Sequence, residues 1–443
     1  MTTQEAQWQS HISTHMNGLS AVDKLLDDVT HLEEMDLAFL FVGQAHASEF
    51  EAMVTHAYQK LIKHGCKTKI QLISIIGGGV IGENVEIDDP QRPGVSLLLG
   101  PLPEGAEVRT IEYSNSATDV KDNKKDTTWK LSSKYDSCLV FCDPWAPVEN
   151  ILQEYLYQPG RVVAGGISCP YLADQSSVAI NDRLFPQGSM IGVAFAGNLG
   201  LQTMVAQGCR PIASGRTYKI TACEGNLVTG LDGQPALELL QQLANTAPPE
   251  EQEQITSGLL CGVAKASSCG EDFLSRQIMG FAPSLHGIAI ATTNVEVGDH
   301  FCFQVRDGKT VQQDLQLMVQ RTSAARLFDN TDSDAKSGHP VAALQISCVA
   351  RGRGMFAGLP NVDVSNVMRL LESPERGPVV GGFFANGEIG PVGLAGFSTT
   401  VEHSGNSYLH SFTTVAAILC KYTTEDHNRS SRSAQTESLD AWG

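Results

Sequence analysis

The chain has 443 residues, of which 42% are hydrophobic and 42 are glycine, and this composition favours two to three globular domains with many turns. Its formal net charge of −18 would repel phosphate backbones, so we expect no nucleic-acid partner. No apolar run reaches the length of about 18 residues that predicts a membrane span. The N-terminus shows no secretory pattern, which favours the cytoplasm, or an organelle such as a plastid where a transit peptide has been removed.

The 11 cysteines are odd in number and widely spaced, and most lie in apolar runs, as reduced and buried thiols do. The sequence contains no Cys-x-x-Cys pair. Cys138 and Cys142 would lie about 13 Å apart on one face of a strand, at roughly 3.3 Å per residue, which is too far to chelate one metal ion. We therefore expect no metal site and no cofactor.

The two ends of the chain differ in character. Residues 1–35 carry apolar side chains at helical intervals from Ile12 to Leu32, which predicts an N-terminal segment of one or two amphipathic helices. Residues 423–443 are polar and poor in large apolar side chains, which predicts a disordered tail.

Between these ends, a pattern of strand, loop, helix, strand and glycine pair occurs three times. The first copy has strands at 37–42 and 70–76, a helix at 49–63, and Gly77-Gly78-Gly79. The second has strands at 137–142 and 161–164, a helix near 148–155, and Gly165-Gly166. The third has strands at 342–349 and 379–380, a helix at 364–371, and Gly381-Gly382. The copies lie at irregular intervals, so they predict pseudo-symmetric α/β layers rather than a solenoid.

Antiparallel-looking strands follow the first two glycine runs. We expect residues 95–99 to pair with 107–113, and residues 190–196 to pair with 202–206. Gly77-x-Gly79-x-x-Gly82 formally matches a dinucleotide fingerprint. That motif must open a helix, whereas acidic residues and prolines follow here, so we reject it.

Three motifs occur in order near the C-terminus. They are Cys348-Val349-Ala350-Arg351-Gly352, the long segment from Gly382 to Pro391 (GFFANGEIGP), and His410-Ser411-Phe412-Thr413-Thr414. Together they resemble the C-terminal half of the FIST family (F-box and intracellular signal transduction). The resemblance is strongest in the middle motif and extends weakly over residues 36–421.

The resemblance implies both a fold and a function. We expect an α/β (α+β) protein with mixed sheets and two pseudo-related layered halves, a FIST N domain at 36–230 and a FIST C domain at 231–422. It also implies a sensory protein that binds a small ligand, such as an amino acid or a similar small polar metabolite, and signals to a protein partner. The N-terminal segment does not resemble an F-box, which counts against a role as a ubiquitin-ligase adaptor.

The polar residues of the motifs suit a zwitterionic ligand. We expect Arg351 and Arg353 to bind an anionic group, and Asn386 and Glu388 to hold a cationic group. An alternative is that Arg351 and Glu388 form a structural ion pair that needs no ligand.

Further candidates surround these side chains. Gly381, Gly382 and Gly387 would give the ligand room, and His410 and Thr413 would contact it from the last strand, although His410 alone is better explained as a structural hydrogen-bonding residue. The glycines at 77–79 and 165–166 would line an equivalent N-terminal site.

Two other classes of function are less well supported. An adaptor or scaffold would act through protein contacts without a ligand. An enzyme could use Cys348, His410 and Glu388 as nucleophile, base and orienting group, but a thiol inside an apolar run is more often inert. No nucleophile elbow, P-loop or metalloprotease motif occurs, so we expect no catalysis.

Overall fold

The computed structural model describes residues 6–64, 70–114, 131–172, 174–212, 215–267, 273–292, 295–331, 338–371, 377, 379–397 and 406–422. None of the helices in these ranges is long and apolar enough to cross a membrane. The disordered tail that we expect at 423–443 lies outside them.

The elements of the first half are β1 (Gln9–Ser13), α1 (Gly18–Asp27), β2 (Leu37–Gly43), α2 (Phe50–Lys63), β3 (Gln71–Gly77), β4 (Val80–Gly82), β5 (Val85–Ile87), β6 (Val95–Gly100), β7 (Ala106–Tyr113), β8 (Ser137–Cys142), α3 (Val148–Ile151), β9 (Val162–Ile167), β10 (Val178–Ile180), β11 (Arg183–Leu184), β12 (Met190–Gly197) and β13 (Leu199–Ala206). A π-helical turn, Leu152–Leu156, continues α3.

The elements of the second half are β14 (Cys209–Pro211), β15 (Tyr218–Glu224), β16 (Leu227–Leu231), β17 (Gln234–Pro235), α4 (Ala236–Thr246), α5 (Pro249–Gly258), β18 (Leu259–Ala264), β19 (Leu274–Ala282), β20 (Gly287–Ile290), β21 (His300–Arg306), α6 (Gly308–Thr331), β22 (Gly338–Cys348), α7 (Val362–Arg369), β23 (Val380–Ala385), β24 (Glu388–Gly390), β25 (Leu394–Ala395), β26 (Tyr408–His410) and β27 (Thr414–Tyr422).

Most of these elements belong to three units with one common order. Unit 1 is β1–β6, unit 2 is β7–β12, and unit 3 is β13 with β22–β27. Each unit contains a parallel strand–helix–strand motif, β2–β3, β8–β9 or β22–β23. The last strand of each unit, β6, β12 or β27, pairs antiparallel with the first strand of that motif. The mixed α/β class and the three predicted strand–helix–strand units are therefore confirmed.

The three units are interlocked through short strands that cross from one sheet to the next. From unit 1, β4 joins β23 of unit 3. From unit 2, β10 joins β3 of unit 1, and from unit 3, β24 joins β9 of unit 2. Each unit thus completes the sheet of another in a cyclic order, and none of the three sheets is built from one unit alone. Sheets 1, 2 and 3 are numbered after the unit that supplies most of their strands.

The inner faces of the three sheets form one common core. Phe39, Phe41, Phe141 and Phe383 meet at its centre, with ring centroids 5.6–6.4 Å apart. The outer faces are covered by α1 and α2 on sheet 1, by α3 and its π-helical turn on sheet 2, and by α6 and α7 on sheet 3. Burial on both faces explains why the parallel strands read as continuous apolar runs.

A separate barrel interrupts unit 3 between β13 and β22. Six antiparallel strands close on themselves because β21 pairs with both β15 and β18. The barrel has its own apolar core, to which α4 contributes. It contacts the three-sheet body at the end of β22, where the Arg306 guanidinium donates to the Ala350 carbonyl.

Two predictions of local structure were wrong. Residues 9–13 form strand β1 on β6 instead of a helix, whereas α1 confirms one amphipathic helix in the N-terminal segment. The expected pairings of 95–99 with 107–113 and of 190–196 with 202–206 do not occur, because each pair spans a boundary between units. Accordingly, β6 lies in sheet 1 and β7 in sheet 2. Likewise, β12 lies in sheet 2 and β13 in sheet 3.

Candidate functional site

The second strands of the three motifs end side by side, and equivalent backbone groups join them. These hydrogen bonds run from Cys169 N to Ile76 O (2.9 Å), from Asn386 N to Ile167 O (2.9 Å) and from Gly78 N to Phe384 O (2.8 Å). The three donors therefore surround one pseudo-three-fold axis. The Cys169 side chain lies at this junction, where its Sγ would be 3.5 Å from a Cβ placed on Gly78.

Glu388 is the first residue of a crossing strand, and its side chain is fully buried. Its Oε2 accepts hydrogen bonds from Thr413 N (3.1 Å) and Thr413 Oγ1 (2.8 Å). Its Oε1 is buried without a hydrogen-bond partner among the described residues, and the Cys348 thiol lies beside the carboxyl group. The equivalent residues of the other crossing strands are Val80 and Val178, so only unit 3 has an acid at this position.

Burial raises the pKa of Glu388 from 4.5 to about 8, although the Thr413 hydrogen bonds, the Cys348 thiol and the charge of Arg351 favour ionisation. The carboxyl group is therefore mostly protonated at neutral pH. Because Oε2 already accepts two hydrogen bonds, Oε1 is the oxygen that is open to a proton or to a further donor. Glu388 thus holds a buried carboxyl oxygen whose hydrogen-bond partner is missing from the described protein atoms, and an unmet hydrogen bond of this kind is costly.

A strained turn presents Thr413 to Glu388. Phe412 has φ +65°, in the left-handed region that costs about 1–2 kcal/mol for a residue other than glycine. Three features stabilise this conformation of Phe412. Gly208 leaves space for the Phe412 carbonyl, which would lie 2.0 Å from any Cβ at 208. Arg351 Nη1 donates to the same carbonyl (3.4 Å), and the Arg306 guanidinium lies 5.3 Å from the ring centroid.

His410 pairs with Glu388 across β26 and β24, but its imidazole bonds elsewhere. Its Nε2 donates to the carbonyls of Gly390 (3.0 Å) and Pro391 (3.2 Å). Burial lowers the pKa of His410 to about 4, so the ring is neutral and carries its proton on Nε2. The histidine therefore fixes the chain that follows Glu388.

Arg351 is held by a different acid from the one suggested by the sequence. Its Nε and Nη2 donate to Asp363 Oδ2 (2.6 Å) and Oδ1 (2.7 Å), and both side chains are buried. The alternative prediction of an Arg351–Glu388 ion pair is therefore wrong in its partner. A guanidinium with its Nε/Nη2 edge on Asp363 and its Nη1 on the Phe412 carbonyl has little capacity left for a ligand carboxylate.

The other two polar candidates lie at the surface. The Arg353 side chain is 51% exposed, and its Nε is 3.7 Å from Asp88 Oδ1, which places it at a separate ion pair. Asn386 is exposed and lies two residues before Glu388. Of the nine expected site residues, Glu388 and Thr413 are in direct contact, while His410, Arg351, Asn386 and Gly387 lie around them.

Most of the candidate glycines serve packing between strands. A Cβ at Gly381 would meet Leu98 Cβ at 2.8 Å, and one at Gly382 would meet the Gln345 carbonyl at 1.9 Å. Gly387 differs, because its φ of +124° is needed for the turn into β24. The glycines at 77–79 and 165–166 also contact strands or core side chains closely, as sheet-packing residues do.

Sequence reasoning missed Cys169, Asp363 and Arg306. Asp363 lies on α7, and only the fold brings it against Arg351. Cys169 follows the second glycine pair. The glycine pairs occupy different positions relative to the strands of the three units, so they could not be used to align the units and find equivalent residues. Arg306 ends a strand that the sequence did not connect with the C-terminal motifs.

Comparison with known proteins covers most of the chain. Residues 36–234 match the family model described as FIST N domain, and residues 236–391 match FIST C domain. The uncharacterized proteins MT0656 and Rv0628c of Mycobacterium tuberculosis are each 31% identical over 353 residues, covering 78% of this chain and 83% of theirs. The uncharacterized protein Mb0898c of Mycobacterium bovis is 29% identical over 392 residues, covering 87% of this chain and 91% of its own.

Proposed function

Because this chain belongs to the FIST family, whose domains are linked to signal transduction, we propose that it is a sensory protein that binds a small polar metabolite at Glu388. An amino acid or a similar amine is the class of ligand that fits best. The bound state would be passed to a protein partner, and no catalytic step is involved.

The observation that carries this proposal is the buried Oε1 atom of Glu388, which has no partner among the described residues. Two neighbouring positions reach the surface: Asn386 is exposed, and Val349, next to Cys348, is 45% exposed. A ligand of Glu388 would enter beside these two positions. An ammonium group would satisfy both the missing hydrogen bond and the charge of an ionised Glu388.

The thiols near Glu388 favour binding over catalysis. Burial raises the pKa of Cys169 to about 12, and burial also raises the pKa of Cys348. Both groups stay protonated at neutral pH, whereas a catalytic cysteine needs its thiolate. His410 donates to two carbonyls and cannot serve either thiol as a base in this arrangement.

The test is a thermal-shift screen of the full chain against amino acids and polyamines, followed by calorimetric titration of each hit. A ligand at 100 times its Kd should stabilise the fold by about 2.7 kcal/mol. Glu388→Gln should weaken binding because it cannot ionise. Glu224→Gln is the matched control, since Glu224 is exposed at a hairpin of the barrel.

The pH dependence adds a second criterion. An ammonium ligand binds the ionised form, so its affinity should rise roughly tenfold per pH unit as the pH approaches 8 from below. This dependence should vanish in Glu388→Gln. The proposal fails if no compound stabilises the wild-type chain, or if Glu388→Gln and Glu224→Gln bind every hit equally well.

A further inference from the structure

The loop between β22 and α7, residues 352–361, is held in place by contacts at its ends. The Arg351–Asp363 ion pair joins the two residues that flank it and so closes its base. Within the loop, Ala357 has φ +54°, in the left-handed region that is costly for a residue other than glycine. The conformation of the loop therefore depends on the groups that fasten it to the rest of the chain.

Unit 1 fastens the loop through β5, the edge strand of sheet 3. Glu86 Oε1 accepts a hydrogen bond from Val364 N (2.7 Å) in the first turn of α7, and Glu86 N donates to Asn361 Oδ1 (2.9 Å). Asp88 Oδ2 accepts one from Arg353 N (2.6 Å). The end of the loop and the start of α7 are thus joined to unit 1 chiefly by Glu86.

Glu86 is buried in a cluster that has more acids than bases. Its side chain is 3% exposed. Two charged groups face it from other elements, Asp363 of α7 and Arg351 after β22. From β22, the uncharged Gln345 donates through Nε2 to Glu86 Oε1 (3.3 Å), and β4 has no ionisable side chain. Because Arg351 is forked onto Asp363, no cation of the described residues lies within ion-pair distance of Glu86.

The neutral form of Glu86 suits these surroundings. A buried carboxylate that lies near a second carboxylate and has no cation of its own is costly. Burial and then the charge of Asp363 raise the pKa of Glu86 from 4.5 to about 7, although the hydrogen bonds from Val364 and Gln345 oppose this shift. Protonation also brings a donor into a cluster where Gln345 Oε1 has no partner among the described residues.

We propose that Glu86 is a pH-sensitive latch between units 1 and 3. Its neutral form holds the 352–361 loop and the first turn of α7 against β5, and its ionisation releases them. On release the carboxylate gains solvation, and the backbone of the loop relaxes. This latch does not depend on a ligand at Glu388.

Hydrogen exchange of the full chain, read by mass spectrometry at residue resolution, measures release through the amides of Glu86 and Val364. In the open loop Glu86 has its ordinary pKa of 4.5, so opening should increase by up to tenfold per pH unit above 4.5. The increase should level off above pH 7, where Glu86 is ionised in both forms. After correction for intrinsic exchange rates, protection should fall roughly 50- to 100-fold between pH 5 and 8.

Three variants assign this change to one group. Glu86→Gln keeps the acceptor for Val364 but cannot ionise, so its protection should not depend on pH. Glu83→Gln is the matched control, because it makes the same change at an exposed position of the same hairpin, and it should behave as the wild type. Glu388→Gln removes the other acid of raised pKa and should leave the pH dependence of the loop intact.

Each outcome decides for or against the latch. Loss of the pH dependence in Glu86→Gln alone supports it. Unchanged protection of the two amides between pH 5 and 8 in the wild type excludes it, and this result needs no variant. Persistence of the dependence in Glu86→Gln also overturns it, as does an equal fall in protection throughout β21 of the barrel, which would report unfolding of the whole chain.

Discussion

Glu388 links protonation to folding as well as to binding. Its pKa is 4.5 as a free side chain and about 8 in the folded chain, so between these values the folded state binds the proton more tightly than the unfolded state. The stabilisation from the neutral group is complete below pH 4.5 and is lost as the pH rises towards 8.

We therefore predict that Glu388→Gln changes the pH profile of stability. The wild-type free energy of unfolding should fall relative to that of the variant by up to about 1.4 kcal/mol per pH unit between pH 5 and 8. The difference in stability should consequently shift towards the variant as the pH rises from 5 to 8. Urea unfolding at several pH values measures the difference.

Glu224→Gln again serves as the control, because this glutamate is exposed. The free energy of unfolding of this control should depend on pH in the same way as that of the wild type. A constant difference between Glu388→Gln and the wild type over the whole range would show that Glu388 is already ionised in the folded chain, which would contradict the neutral state assigned here.

At the residue scale, the sequence singled out two residues that are in contact, but not the groups that surround them. Glu388 and Thr413 stood in recognisable motifs, and they are in contact. The ion-pair partner of Arg351 is Asp363, which is 12 residues away on a helix whose orientation is set by packing. Local sequence does not determine which of several acids a buried arginine meets.

At the element scale, glycines allow strands of different sheets to approach closely. Gly166 of β9 faces the common core, where a Cβ would lie 2.7 Å from Ile346 Cγ2 and 3.0 Å from Ala385 Cβ. Both neighbours belong to unit 3, and both are buried, so neither can move away freely.

Gly166→Ala should therefore destabilise the chain by about 1–3 kcal/mol, as overpacking of a core does. Gly280→Ala is the comparison, because Gly280 lies in β19 with no atom within 4 Å of the added Cβ. Chemical denaturation of both variants gives the difference. Equal stability of the two variants would mean that the sheets can shift at Gly166 and accommodate the added methyl group at little cost.

The strands themselves could be predicted, whereas their partners could not. The apolar runs at 37–42 and 137–142 are strands because both of their faces are buried. The crossing strand β4 pairs with β23, some 300 residues later, and no local signal specifies that choice. The glycine pairs also proved misleading as markers, since Gly78 lies after its strand and Gly166 within one.

At the scale of the whole molecule, the two matched regions are not separate folding units. The match to FIST N domain ends at residue 234, yet it includes β13, which lies in the sheet of unit 3. The match to FIST C domain ends at residue 391, before β26 and β27. Sheets 2 and 3 each combine strands from both matched regions.

A chain divided after residue 234 should consequently fail to fold as two independent halves. We expect residues 1–234 alone to show no cooperative thermal unfolding, and the two fragments together to form a one-to-one complex when they are produced in the same cell. Gel filtration and calorimetry measure both results. A monomeric N-terminal fragment with a sharp unfolding transition would contradict the interlocked arrangement.

The cyclic exchange of strands also limits which parts of such a gene recombination can replace. A recombination event that replaced one unit would leave a foreign crossing strand in one neighbouring sheet and an unfilled edge in another. The barrel differs, since it lies between β13 and β22 and none of its described strands belongs to the three sheets. Inheritance should therefore keep the three units together, while the barrel can diverge.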